Sequence, residues 1–232
     1  SNGSITSSVS VNTTAGFSIV SYAGYGSNST VGHGLGSAPK LIIIKNRSQS
    51  NGWIVGHEEL DTSNPWHKYV ELHSTNGVAD LNTIWNDTAP TSSVFTLGTE
   101  AAVNNSSNNF IAYCFTEKQG YSKFGKYTGN GNADGAFSFC GFRPAWIMVK
   151  PIDATQNWQI HDTKRPGYNV KNYNLSSNST AAEADNEFMD ILSNGFKIRR
   201  SDVLNVSGDK YIFWAFAEQP FVNSSGIPCN AR

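Results

Sequence analysis

The sequence predicts an all-β fold: two tandem antiparallel β-sandwich repeats of jelly-roll type, with a short helix in the second. Three observations carry this expectation. First, the chain is written twice. Tyr22-Ala-Gly-Tyr-Gly26 returns as Tyr127-Thr-Gly-Asn-Gly131, and Ala38-Pro-Lys-Leu-Ile-Ile-Ile-Lys45 as Arg143-Pro-Ala-Trp-Ile-Met-Val-Lys150. Gly52-Trp53 matches Asn157-Trp158, and Asn109-Phe-Ile-Ala-Tyr-Cys-Phe-Thr-Glu117 matches Lys210-Tyr-Ile-Phe-Trp-Ala-Phe-Ala-Glu218. The offset is 105 from Pro39 to Pro144 and 101 from Glu117 to Glu218, the drift that loop insertions and deletions leave between copies of one unit. Second, strand-length apolar runs are punctuated by Gly, Asn, Asp and Pro clusters, the pattern of antiparallel β architecture. Third, the runs at 41–44, 146–149, 110–115 and 211–217 are apolar at consecutive positions, which marks strands covered on both faces.

Taken in order, residues 1–14 are rich in Ser, Thr, Asn and Val and read as a linker without a signal-peptide pattern. The first repeat spans 15–122, with strands at 17–25, 41–47, 53–58, 69–73, 94–97 and 110–117. The second spans 123–222, with strands at 126–128, 136–139, 146–151, 158–162, 172–175, 195–199 and 211–218. Residues 181–192 interrupt it. Ala181, Ala184, Phe188, Ile191 and Leu192 fall at helical spacing, Ser179 or Thr180 is placed to cap, and Asn194-Gly195 to terminate. Residues 223–232 form a C-terminal tail.

Composition narrows the function. Charged residues are 15% of the chain, against roughly 25% in an average soluble domain. Serine, threonine and asparagine (28, 16 and 25 residues) take their place, which points to an extracellular or particle surface and away from a cytosolic enzyme. The net charge of -1 gives no footprint for nucleic acid or an anionic membrane, and no apolar run is long enough to insert in a bilayer. The three cysteines, Cys114, Cys140 and Cys229, read as two buried thiols and one tail thiol, because the duplicate of Cys114 is Ala215 and that of Cys140 is Leu35.

No catalytic constellation stands out. Gly24-x-Gly26 and Gly129-x-Gly131 are turn glycines with no helix behind them, so they do not form a dinucleotide loop. His57-Glu58-Glu59 and His161-Asp162 sit at corresponding strand ends and read as solvent-facing. No Cys/His spacing suits zinc and no EF-hand spacing suits calcium, so neither a metal nor any other cofactor is expected. The aromatics say more. Trp53 and Trp158 are duplicated, and Trp146 and Trp214 occupy core-pattern positions. Trp66, in Asn64-Pro-Trp-His-Lys-Tyr69, and Trp85 have no duplicate. Trp66, His67, Tyr69 and Trp85 are therefore the candidate ligand-binding residues: an exposed ring offers a flat apolar face to a sugar, and neighbouring polar groups serve its hydroxyls. The alternative is that both tryptophans cap the open end of the first sandwich.

The wording of both repeats also resembles a module of bacteriophage tail fibres and tail-associated proteins from marine and environmental phages. The resemblance lies in Gly16-Phe-Ser-Ile-Val-Ser-Tyr22, Val31-Gly-His-Gly-Leu-Gly-Ser-Ala-Pro-Lys40, Ala89-Pro-Thr-Ser-Ser-Val-Phe-Thr-Leu-Gly98, Gly141-Phe-Arg-Pro-Ala-Trp146 and Leu192-Ser-Asn-Gly-Phe-Lys197, and covers 15–221. It brings no catalytic residues. It implies a place on the virion tail, homotrimeric assembly, and contact with other tail proteins. The expected function is a tail fibre or tail-associated adhesin whose loops contact a host surface glycan or protein. A purely structural shaft, collar or decoration protein is the first alternative. A surface-polysaccharide depolymerase is the second, and it would need paired carboxylates in a groove.

Overall fold

The computed structural model describes residues 2–219. The tail at 223–232, with Cys229, lies outside the described residues. The chain forms two compact units. The first takes the described residues up to His73 together with Val78–Glu117; the second takes Ser74–Gly77 and the described residues from Lys118 on.

The first unit contains β1 (Ser7–Asn12), β2 (Phe17–Ala23), β3 (Ser29–Gly32), β4 (Leu41–Asn46), β5 (Trp53–His57), β6 (Lys68–Glu71), β7 (Ala79–Asp80), α1 (Asn82–Trp85), β8 (Val94–Leu97), α2 (Ala101–Asn104) and β9 (Asn109–Phe115). Seven strands make its main sheet, in the order β1-β2-β9-β4-β5-β6-β7, and β3 pairs with β8 in a second layer. The second unit contains β10 (Ser122–Thr128), β11 (Phe137–Phe139), β12 (Pro144–Pro151), β13 (Gln159–Asp162), β14 (Lys171–Asn174), β15 (Ala184–Leu192), β16 (Gly195–Ile198) and β17 (Lys210–Ala217). Its sheets are β10-β17-β12-β13 and β11-β16-β15-β14. The pairs between these strands are antiparallel, and the fold is all-β.

The duplication extends to register. β2 meets β9 from Phe17↔Phe115 to Tyr22↔Phe110, and β10 meets β17 from Ser122↔Phe216 to Tyr127↔Tyr211. Leu41↔Phe115 and Ile44↔Ala112 correspond to Trp146↔Phe216 and Val149↔Phe213. Leu41↔His57 and Ile44↔Ile54 correspond to Trp146↔Asp162 and Val149↔Gln159. A one-residue slip would turn every side chain to the wrong face, so this agreement fixes the same inward set in both units. Ile42, Ile44, Phe95, Leu97 and Ala112 form the first core; Ile147, Val149, Phe196, Ile198 and Phe213 form the second at matching positions.

One loop clamp is also built twice. Asn104 and Asn205 are both fully buried. The Asn104 backbone carbonyl accepts the Gly26 N–H and its Oδ1 the Tyr25 N–H, each at 2.8 Å. Its Nδ2 donates to Ser27 O at 2.8 Å and Gly98 O at 2.7 Å. Asn205 does the same with Gly131 N (2.8 Å) and Asn130 N (3.0 Å), and its Nδ2 lies 2.7 Å from Asn130 Oδ1, Asn132 O and Arg200 O. Glycine is required inside the clamp: a Cβ on Gly24 would stand 2.2 Å from Asn105 O, and on Gly129 2.1 Å from Val206 O. Beside each clamp a buried tyrosine hydroxyl, Tyr22 or Tyr127, donates to the carbonyl one residue ahead of the asparagine, Val103 O or Leu204 O, at 2.8 Å. Burial raises both phenols well above their ordinary range.

A lysine–tryptophan pair completes the repeated set. Lys45 and Lys150 each sit 5.9 Å over Trp53 and Trp158 respectively. Lys45 Nζ donates to Asn51 O. Lys150 Nζ donates to Gln156 O at 2.7 Å and to Thr75 O at 2.9 Å, all within the second unit. Trp158 is fully buried, whereas Trp53 is half-buried.

Several expectations need correction. Residues 181–192 are not a helix; 184–192 form β15. Met189↔Ile198 and Ile191↔Phe196 pair it with β16, and a bulge between the Asp185 and Met189 pairings turns both Phe188 and Met189 into the core. That bulge breaks strand alternation and mimics a helical period, and strand pairing overrides the helix preference of Ala and Glu. The two short helices occur in the first unit instead. Residues 1–14 are not simply a linker: Ile5 lies in the first core and β1 pairs with β2 along its whole length. Of the continuous apolar strands, β17 is buried at five successive positions, but β9 alternates buried and half-buried residues. His57 and His161 are fully buried and do not face solvent. The Nδ1 of His57 accepts the Glu59 N–H at 3.1 Å, and His161 lies 5.2 Å from the Phe188 ring. Cys114 and Cys140 are buried free thiols, and burial raises the Cys114 thiol above its ordinary range.

Asn104→Ala and Asn205→Ala should each lower unfolding free energy by about 2–4 kcal/mol, because each strands several buried polar partners. Urea unfolding checks this, and a loss below about 0.5 kcal/mol, the range of an ordinary surface substitution, would mean that the clamp is ornamental. A second expectation concerns pH. Burial pushes the Lys150 ammonium down to about 8, while an unfolded lysine titrates near ~10.4. Between those values the unfolded chain holds a proton that the folded chain has released, so stability rises with pH. Relative to Lys150→Met, wild-type stability should gain about 3 kcal/mol across that window; a constant difference would show that Lys150 stays charged.

Candidate functional site

The residues singled out in the first repeat do not form a surface site. Trp66 lies in a single helical turn (Pro65–His67) and is 5% exposed; Trp85 ends α1 and is 1% exposed. Their rings meet edge to face at 5.4 Å, and Trp85 Nε1 donates to Lys68 O at 3.1 Å. Gly56 on β5 makes the space: a Cβ there would stand 2.5 Å from Trp66 and 2.7 Å from Trp85. Both indoles belong to the first core, so the exposed-aromatic expectation is overturned by burial. Tyr69 packs against that core, and burial, then Glu71 and Glu100, raise its phenol. His67 stays partly exposed with Nδ1 3.6 Å from Asp87 Oδ1. The structure thus gathers Trp66, Tyr69 and Trp85 as packing, and neither indole presents an open face to a ligand.

A concave site occurs instead in the second unit, where the second layer departs from its counterpart. In the first unit that layer is the β3–β8 pair. In the second, β14 and β15 extend it to four strands. Ile160 and Leu175 exchange N–H···O bonds of 2.8 and 3.1 Å, tying β13 to the end of β14. That link sets Gln159 beside Asn174 in the wall of a cavity of about 300 Å³. Ligand pockets run from roughly 300 to 1,000 Å³, so this one suits a small group.

Its lining is dominated by side-chain amides. Gln156 and Asn157 come from the loop before β13, Gln159 from β13, Asn174 from β14 and Asn186 from β15. Asn186 Nδ2 donates to Asn174 Oδ1 at 3.2 Å, and Asn174 Nδ2 donates to Gln159 Oε1. Gln159 and Asn174 are 5% exposed. This relay holds the amides in fixed orientations, and each amide can both donate and accept. Asn157 Oδ1 takes an N–H from Asn178 at 2.8 Å, whose own Oδ1 accepts the Trp158 N–H at 2.9 Å. The connection between β14 and β15 supplies Ser176, Ser179, Ala181 and Ala182, and β15 itself Ala184.

The far wall is Phe188, Arg200 and Val203. The Arg200 guanidinium stacks 4.7 Å over the Phe188 ring and makes a forked pair with Asp202, at 2.6 and 2.9 Å. That hydrogen bonding holds the Asp202 carboxyl below its ordinary value and raises Arg200. Val203 has φ 38°, an unfavourable conformation for a β-branched residue, of the kind that clusters at ligand sites. Among the described lining residues there is no carboxylate. Among the described residues no group of three or more His, Cys, Asp or Glu is placed to hold a metal.

Its members are spread from Gln156 to Val203 over three strands and three loops, which hides the site in the sequence. The available signal was the amide-rich stretch 172–186, which lacks a close counterpart in the first repeat.

A family profile described as "Domain of unknown function (DUF7483)" matches residues 1–220, and the chain belongs to that family. No curated protein and no solved structure matches it. Among the described residues no helix is long and apolar enough to cross a membrane.

The tryptophans provide a stability test. Trp66→Ala, Trp85→Ala and Trp158→Ala should each cost about 3–5 kcal/mol as buried large-to-small changes, and half-buried Trp53→Ala distinctly less. Thermal or denaturant unfolding gives the ranking; a Trp85→Ala protein as stable as wild type would contradict its place in the core.

Proposed function

We propose that this chain is a virion protein of a bacteriophage tail, a fibre or tail-associated adhesin, that holds a host surface glycan in the amide-lined cavity of its second repeat. The observation that carries the binding part is the cavity itself: a preformed hollow lined by oriented amides and hydroxyls, beside a second layer that the first copy builds from only two strands. Sugars present many hydroxyls that both donate and accept, and a relay of amides answers them in kind. The tail location is supported by the likeness of both repeats to tail-protein modules. In this reading the chain works as a homotrimer beside other tail proteins, and multivalency raises the avidity of individually weak sites.

The same lining favours binding over cleavage. Glycoside hydrolysis needs two carboxyl groups about 5–9.5 Å apart across the scissile bond, whereas the described cavity wall offers amides, hydroxyls, alanines and one paired arginine.

The test is retention of the full chain on a glycan array and on host-cell envelopes, with a reducing-end assay alongside. Wild type should be retained and release no reducing ends. Ala182→Trp, which fills the hollow, should weaken binding by about tenfold or more without moving the melting temperature, and Asn186→Ala should weaken it similarly while also lowering stability, since it removes the donor to the buried Asn174 Oδ1. Equal retention of both variants would place binding elsewhere, and turnover of a polysaccharide would replace the adhesin with an enzyme.

A further inference from the structure

The charge balance of the cavity decides which sugars it takes. This step rests on the glycan-binding reading above. Arg200 is the one charged residue among the described residues that line the hollow. Its guanidinium is committed: two of its nitrogens reach both Asp202 oxygens, and its face lies against Phe188. Forked pairing of this kind fixes geometry as well as charge. The polar remainder, five amides and two serine hydroxyls, is neutral at any working pH. Three alanines and Val203 add small apolar surface between them.

An acidic sugar entering this space would shed hydration from its carboxylate or sulfate and find no uncompensated cation, a costly exchange. A neutral sugar exchanges water hydrogen bonds for amide ones at little cost. Its methyl or C–H groups meet the alanines. We infer that the cavity selects neutral sugars (hexoses, N-acetylhexosamines and deoxyhexoses) and rejects uronate-, sialate- and sulfate-bearing ones, with Asp202 as the residue that sets this selectivity by neutralising Arg200.

The experiment uses the full chain on an array carrying neutral and acidic oligosaccharides, at low and high salt. Wild type should be retained by neutral members with little salt dependence, because no net charge is neutralised on binding. Asp202→Asn leaves the Arg200 charge uncompensated and should gain acidic glycans by about tenfold, the effect of one added charge-assisted hydrogen bond, with the gain lost at high salt. Ala182→Lys, on the exposed wall, should do the same should Asp202→Asn fail to fold. Wild-type preference for acidic glycans would overturn the selectivity while leaving glycan binding intact. So would variants that gain nothing. Retention of no glycan at all would remove the binding reading itself, and the selectivity with it.

Discussion

A buried side-chain amide is the constraint on which each repeat depends. Asn104 and Asn205 stand at the point where the chain leaves its last cross-connection and enters the central strand, β9 or β17. Each is surrounded by backbone that no strand partner can satisfy: the tight Gly-x-Gly turn on one side and the return of the second layer on the other. A buried peptide group without a partner costs about as much as a lost hydrogen bond. One asparagine answers several such groups at once, in both copies. The close approach explains why the first glycine of the turn carries no side chain. It also fixes the end of β2 and β10, where each strand runs into its turn.

With that frame held, the two copies were free to differ in what covers it. The first spends the space beyond β5 on core: Trp66 and Trp85 fill the room that Gly56 leaves, and short helical turns close the end. The second runs two strands across the corresponding region and leaves a hollow lined with amides. The lysine and its indole are retained under both arrangements, buried in the second copy and half-buried in the first, which places them with the frame. Function is therefore best sought on the layer that diverged. The unduplicated tryptophans obeyed that logic in sequence but not in space, because an unduplicated residue can equally be the plug that its own copy requires.

Much of the frame was legible in the sequence. The match of Leu41–Lys45 to Trp146–Lys150, and of the two Gly-x-Gly turns, announces paired strands whose registers agree residue for residue. What was not legible has physical causes. β1 carries apolar side chains on one face only, so its composition looks like a linker although its backbone pairs fully with β2. β15 reads as a helix because a bulge brings two neighbouring residues to the same face. The burial of Trp66 and Trp85 hinges on Gly56, ten residues before the first of them, whose meaning is spatial: a glycine inside a strand marks a close approach, and here the approaching groups are indoles. The cavity was least legible, since its amides come together only after β13 and β14 exchange backbone bonds at Ile160 and Leu175.

Native-state hydrogen exchange on the wild-type chain tests the clamp most directly. The amides of Tyr25, Gly26, Asn130 and Gly131 lie in loops, where exchange is ordinarily fast, yet each donates to Asn104 or Asn205. Their protection should come within about tenfold of that of the central amides of β4 and β12, because they open only when the unit unfolds. Exchange of these four amides at the rate of unstructured loop, with the strands still protected, would contradict it.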